Sequence, residues 1–294
     1  MAAKIIDGKQ VAADMRTELK AKVARLKEDG IVPGLAVVLV GEDPASKSYV
    51  TAKERACEEI GIYSDDNRLD ADTSQEKLMA LVNKLNNDPK INGILVQLPL
   101  PKHLNESEVL LAIDPDKDVD GFHPINVGKM VVGEKAFLSC TPHGVIQLLL
   151  RNDVKIEGAQ VVIVGRSNIV GKPVANMLIQ KSPTGNATVT VCHTRTKNLA
   201  EHTRRADIVI AAAGRPNTVT ADMIKDGAVV IDVGVNRVED ATRKRGYRLV
   251  GDVDFEAVKE KASLITPVPG GVGPMTITML LYNTVESAER AAGR

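Results

Sequence analysis

Tryptophan is missing from this chain of 294 residues, and all aromatics together make up 2% of it. With so few rings, base-stacking platforms and aromatic cages are not expected as its working surfaces. An excess of one charge is missing too. Lys and Arg number 38, as do Asp and Glu, so no net field draws nucleic acid or an anionic membrane, and neither is an expected partner. Apolar runs stop at strand length, which excludes a transmembrane helix. Cysteine is scarce: Cys57, Cys140 and Cys192 are odd in number and far apart. That argues against a disulfide framework and for a reducing, cytoplasmic setting. The five histidines follow no ligand spacing, and no metal is expected. The opening residues MAAKIIDGKQ carry neither a signal h-region nor a transit composition.

What is present is organised around VVIVGRSNIVGKPVANMLI, residues 161–179. Val161, Val162, Ile163 and Val164 predict a strand buried on both faces. Gly165 ends it, Ser167 and Asn168 are turn or cap residues, and Val170, Val174, Met177 and Leu178 repeat at helical spacing. Strand, glycine turn and helix together bring backbone N–H groups up to a phosphate. The spacing G-x-S-x-x-x-G is not the GxGxxG fingerprint, so a βα turn without a ligand is the alternative. Arg166, a cation at the mouth of the turn, favours an anion. One βα unit downstream, ATVTVC (187–192) runs into His193, Thr194, Arg195 and Thr196. No carboxylate stands there to accept from a ribose 2′-OH. Hydroxyls and a second arginine suit a 2′-phosphate instead, and NADP is the expected cofactor.

The rest of the chain alternates. Apolar runs at 35–40 and 94–98 and a short extended piece around 62–69 are separated by helical patterns at 8–28, 44–60 and 73–87, with a further helix at 107–113. Thr73 and Glu76 suggest a capping box. A helix at 142–150 leads to a second series of strands at 161, 187, 207–213, 228–233 and 264–265, and VEDATRKRGYRL reads as a solvated hairpin. This pattern predicts an α/β protein of two parallel-sheet domains, the second Rossmann-like. The helical stretch from Met275 to Ala292 has no strand after it and is expected to dock back on the first domain. The expected boundaries are therefore 1–145 with 275–294 for one domain and 146–274 for the other.

Four places carry groups suited to chemistry. On the helix from Pro44 to Ile60, Tyr49, Lys53, Ala56 and Ile60 share one narrow stripe, which puts Lys53 on the face that should be buried. A snorkelling lysine is one explanation; a Tyr/Lys pair that handles protons is the other. Gln97 lies at the carboxyl end of an apolar strand, the end that borders ligands in open α/β sheets, although backbone could equally satisfy it. The loop Asp114-Pro-Asp116-Lys-Asp118-Val-Asp120-Gly121 resembles an EF-hand start, but Val127 occupies the twelfth position where Glu is required. Asp114, Asp116 and Asp118 read as solvated, whereas Asp120 in its Gly turn could accept from a pair of ring N–H donors. TPVPGGVGP (266–274) is too rich in Gly and Pro for a regular element, and Gly270, Gly271 and Gly273 permit close approach to a planar ligand.

Taken together, SYVTAKERA around Lys53, VQLPLP at 96–101, KDVDGFHP at 117–124, GRSNIVGKP at 165–173 and TPVPGGVGPMT at 266–276 resemble the methylenetetrahydrofolate dehydrogenase/cyclohydrolase family, in the family's order and over essentially the whole chain. The resemblance implies a cytoplasmic or organellar homodimer of two-domain α/β subunits, with folate bound in the cleft between the domains. It implies NADP-dependent oxidation of 5,10-methylenetetrahydrofolate and hydrolysis of the methenyl product to 10-formyltetrahydrofolate. Lys53 would be the central catalytic group, Tyr49 would stack on the folate, Gln97 would bond Lys53, and Asp120 would hold the pterin. Val96 and Leu98 beside Gln97 would line the substrate, as would Pro269, Gly270, Gly271, Gly273 and Pro274. Gly165, Arg166 and Ser167 would take the cofactor phosphates, with Thr194, Arg195 and the backbone of Val235 completing that site. Thr194 and Ser139 depart from the commoner Ser and Pro. The alternatives are an NADP dehydrogenase of another small substrate, such as a shikimate-type hydroxy acid, and a non-catalytic NADP-binding regulator.

Overall fold

Apolar runs become strands and 3.6-residue stripes become helices in the computed structural model, which describes residues 2–243 and 246–294. A short strand β1 (Lys4–Ile5) precedes helix α1 (Gly8–Glu28), whose Met15, Leu19, Val23 and Leu26 are buried. Strand β2 (Gly34–Val40) is buried along its length. Helix α2 (Pro44–Ile60) starts on Asp43, whose carboxylate accepts from Ser46 N at 2.8 Å, and closes on Gly61 at φ 85°. A left-handed residue at that end explains the glycine. Strand β3 (Tyr63–Leu69), helix α3 (Gln75–Asn86) and strand β4 (Gly93–Val96) follow. The cap of α3 is Ser74, which accepts from Lys77 N at 3.3 Å, rather than Thr73, which is buried.

Helices α4 (Glu106–Ala112) and α5 (Pro124–Val132) come next. The second lies where the sequence reads as continuous loop. His123 caps it and Pro124 takes its first position, where a missing N–H costs nothing. Helix α6 (Cys140–Leu150) then leads to β5 (Gln160–Val164), α7 (Gly171–Ile179), β6 (Thr188–Cys192), α8 (Leu199–Thr203), β7 (Ile208–Ala211) and β8 (Val229–Asp232). Strands β9 (Asn236–Glu239) and β10 (Tyr247–Val250) pair antiparallel as a hairpin, of which residues 244–245 lie outside the described ones. The series ends with α9 (Phe255–Val258), β11 (Leu264–Ile265) and α10 (Val272–Ala291). Gly273 and Pro274 thus belong to the first turn of α10, not to a loop. A proline is tolerated there because the first N–H groups of a helix have no helical partner.

The chain forms two compact units. One comprises Ala13–Cys140 and Ile277–Arg294. Its sheet, ordered β3-β2-β4, is parallel at both pairings. Ala36, Val38, Ile94 and Val96 pack against Leu78, Val82 and Leu85 of α3 and Val109 of α4, each large aliphatic side chain contributing about 1.5–3 kcal/mol when fully buried. The other unit comprises Met1–Ala12 and Thr141–Thr276. Its six-stranded sheet has the order β1-β11-β8-β7-β5-β6, parallel at every pairing. Residues 2–12 therefore go with this second sheet and not with the residues that follow them in sequence. Lys4 and Ile5 pair with Leu264 and Ile265, and Ile6 N bonds Ile265 O at 2.8 Å. Among the described residues no helix is long and apolar enough to cross a membrane.

Candidate active site

In the six-stranded sheet the chain runs from β5 to β6 on one side and then to β7 on the other. The carboxyl end of β5 is thus a switch point, where open α/β sheets leave a crevice. Gly165 stands there at φ 140°, and a Cβ on it would lie 2.1 Å from Ala212 O. A Cβ on Gly171 would lie 2.2 Å from Gly165 O. The two glycines let the turn press onto the end of β7 while α7 starts against it. Ser167 Oγ accepts from Val170 N at 3.1 Å and Gly171 N at 3.4 Å, capping α7 from within the turn. Arg166 and Ser167 are exposed at its mouth.

Past β6 the backbone is folded tightly. His193 N donates to Thr196 Oγ1 at 2.8 Å, and Arg195 N donates to His193 Nδ1 at 3.1 Å. Thr194 and Arg195 point their exposed surface outward, and Val235 is 53% exposed. A turn with no room for a Cβ at Gly165 or Gly171, an exposed Arg on it, and hydroxyl and guanidinium groups in place of an acid all fit a dinucleotide carrying a 2′-phosphate.

In the other unit β2 is central, with β3 on one side and β4 on the other. Lys53 is on α2, which follows β2, and Gln97 follows β4, so the sheet's own switch brings them together. Lys53 is only 8% exposed, and its Nζ donates to Gln97 Oε1 at 3.0 Å. Gln97 Nε2 donates to Leu98 O at 2.7 Å and Gln97 N to Val38 O at 2.8 Å. That fixes the amide with its oxygen toward the lysine. The buried stripe of α2 runs through Val50, Lys53, Cys57 and Ile60, and Tyr49 falls beside it at 48% exposed. Burial lowers the Lys53 pKa, and the Asp120 carboxylate opposes that shift. An amine held this way can give up and regain a proton.

The acidic loop departs from expectation. Asp118 is buried rather than solvated: it accepts from Phe122 N at 3.2 Å, His123 N at 2.8 Å and Asn126 Nδ2 at 2.9 Å, and so ties the loop to α5. Burial nevertheless pushes its pKa up. Gly121 has φ 72°, and a Cβ on it would meet Ser139 N at 2.6 Å. From α10, Asn283 Nδ2 donates to Val119 O at 2.8 Å and Leu138 O at 2.9 Å, and Cys140 Sγ donates to Val119 O at 3.3 Å. Asp120 is therefore carried on backbone held from three directions. Burial raises its pKa to about 6, with Lys53 pulling the other way. Burial also raises both neighbouring thiols, Cys57 to about 12, so neither offers a thiolate nucleophile.

Other expected residues divide. Val96 is buried with the core of its sheet, so its side chain lines no surface, while Leu98 is half-buried. A Cβ on Gly271 would lie 2.6 Å from Pro267 O, and one on Gly8 would lie 1.8 Å from Gly271 O. Gly271 serves packing within the protein. Gly270 (φ 107°) is needed for its backbone, whereas nothing lies within 4 Å of a Cβ on Gly273. Pro269 is exposed and Pro274 half-buried.

Residues 6–120 match the family model of the tetrahydrofolate dehydrogenase/cyclohydrolase catalytic domain, and residues 139–292 match that of its NAD(P)-binding domain. The bifunctional protein FolD of Dehalococcoides mccartyi (strain CBDB1) is 60% identical over 295 residues, covering 100% of this chain and 99% of that one. The Campylobacter jejuni bifunctional enzyme FolD, methylenetetrahydrofolate dehydrogenase/cyclohydrolase, superposes with a TM-score of 0.92 at 52% identity over 98% of this chain and 99% of that one. The Trypanosoma brucei N5,N10-methylenetetrahydrofolate dehydrogenase-cyclohydrolase, solved with NADP cofactor and inhibitor, superposes at 0.94 with 40% identity over 100% of both chains.

Proposed function

The chain belongs to the tetrahydrofolate dehydrogenase/cyclohydrolase family, and from that premise we propose how its own residues carry out the two reactions. It oxidises 5,10-methylenetetrahydrofolate to the methenyl compound with NADP and hydrolyses that product to 10-formyltetrahydrofolate. The observation that carries the assignment of roles is the buried Lys53 amine, bonded at 3.0 Å to a Gln97 that is itself fixed.

NADP, when bound, supplies the hydride acceptor. Hydride leaves a carbon flanked by two nitrogens whose lone pairs stabilise the resulting cation, so orientation is most of what the protein must provide. Asp120 accepts from N–H groups of the pterin, and the exposed ring of Tyr49 stacks on the folate. Hydrolysis asks for more. As water oxygen bonds the methenyl carbon, Lys53 takes a proton from it. As one carbon–nitrogen bond then opens, a proton is delivered to the freed nitrogen, and one proton is released overall. Gln97 keeps the amine aimed through both steps. The protein works as a homodimer in the cytoplasm, on tetrahydrofolate derivatives whose formyl product serves one-carbon transfer such as purine synthesis.

Gly165, Arg166 and Ser167 would hold the cofactor phosphates, with Thr194, Arg195 and the Val235 backbone beside them. Arg166→Ala removes a charge-assisted contact of roughly 1.5–3 kcal/mol, so NADP affinity should fall about 10- to 100-fold. NAD affinity should change much less. Titration of the variant with each cofactor checks this, and an equal loss for both would show Arg166 to be structural.

A further inference from the structure

Two buried carboxylates meet where β7 and β8 end. Asp252 has no exposed surface. Its Oδ2 accepts from Ala213 N at 2.6 Å and Gly214 N at 2.8 Å, and its Oδ1 from Asn236 Nδ2 at 2.9 Å. Asp232, the last residue of β8, is buried beside it. Its Oδ1 accepts from Gly234 N at 3.0 Å and Asp252 N at 2.9 Å, and its Oδ2 from Val253 N at 2.9 Å. The fit leaves no room for side chains. A Cβ on Gly234 would lie 2.1 Å from Asp252 Oδ1, and one on Gly251 would lie 1.8 Å from Asp232 Oδ2.

Burying a carboxylate is costly, and here the cost is offset by backbone N–H groups of Ala213, Gly214, Gly234, Asp252 and Val253 that would otherwise lack acceptors. What the carboxylates supply is a fixed place for particular stretches of backbone. Ala213 and Gly214 directly follow Ala212, whose carbonyl is the wall against which Gly165 turns. Asn236 and Gly234 flank Val235 on either side. The Asp252 carboxylate thus holds one segment that backs the Gly165 turn and one that adjoins Val235. We propose that Asp252 is a positioning residue for NADP, setting the Ala213–Gly214 turn and the segment that carries Val235, with Asp232 orienting it in turn. The inference rests on the NADP reading above.

Asp252→Asn keeps the volume but turns one of two acceptors into a donor. Whichever way the amide faces, it meets either Ala213 and Gly214 N–H groups or the Asn236 amide donor to donor. NADP affinity should fall at least about 10-fold. The KM for NADP should rise far more than kcat falls at saturating cofactor. Because Asp252 and the lysine of the hydrolysis lie in different units, the folding control is circular dichroism with a thermal unfolding scan, in which the variant should keep the wild-type spectrum and cooperative transitions. A folded Asp252→Asn protein that binds NADP as the wild type does would overturn the proposal. Should Asp252→Asn not fold, Asn236→Ala decides: a loss of about threefold or more in NADP affinity supports the role, and an unchanged affinity overturns it. A wild-type protein without preference for NADP would instead contradict the cofactor reading itself.

Discussion

Lys53→Met should nearly abolish hydrolysis of methenyltetrahydrofolate, a loss on the order of 100- to 10,000-fold for removal of the group that carries the proton. Methionine keeps the length and the helix propensity and is at least as comfortable as an ammonium between Val50 and Cys57 on the buried stripe of α2. Folding should therefore survive. The dehydrogenase step depends on orientation and should suffer less, so methenyltetrahydrofolate should accumulate when substrate and NADP are supplied together. Gln97 would be left with an unsatisfied carbonyl in the variant, which adds to the effect but is not its origin. A variant that hydrolyses at the wild-type rate would make Lys53 a snorkelling core lysine and the proposed mechanism wrong.

Asp120→Ala should weaken both activities together, by about 100-fold in kcat/KM for folate, because in the proposed role its carboxylate would make two charge-assisted contacts with ring N–H groups. NADP affinity should stay close to normal. The variant also separates anchoring from proton transfer by its pH profile. Burial holds the Asp120 pKa up at about 6, so the group is an anion above that pH and neutral below it. In the wild type, acidification through that region should lower kcat/KM for folate as the acceptor charge is lost. In Asp120→Asn the limb should disappear, since nothing remains there to titrate. Normal folate binding by Asp120→Ala would remove Asp120 from the site.

Much of this was legible in residue order because the physics involved is local. An asparagine, serine or aspartate before a helix and a glycine after it mark its ends, and α2 begins on Asp43 and ends on Gly61 accordingly. The stripe of α2 exposed Lys53 as an anomaly, and the missing acid after β6 indicated the cofactor's phosphate. What residue order concealed depends on distant partners. Strand β1 is two residues long and exists because β11 is there to pair with it. Helix α5 was hidden by Pro124, which reads as a breaker unless it is recognised as a first-turn residue. Asp118 resembles its solvated neighbours until the amides of Phe122 and His123 and the side chain of Asn126 close around it. Asn283 holds the Asp120 loop across 164 residues of sequence, a separation over which no spacing rule operates. Gly271 was legible as necessary, but the reason lay in the backbone of Gly8.

The most direct measurement mixes the protein with 5,10-methylenetetrahydrofolate and NADP, or NAD in its place, and follows reduced cofactor, methenyl intermediate and 10-formyl product separately in time. With NADP, reduced cofactor should form and the methenyl compound should pass through as a transient that gives way to the 10-formyl product. With NAD, formation should be markedly slower. Lys53→Met under the same conditions should produce reduced cofactor and methenyl compound in equal amounts, with little 10-formyl product. Reduced cofactor that appears with no acceleration of methenyl hydrolysis by the wild-type protein, or no reduction of NADP at all, would contradict the assignment of both reactions to this chain.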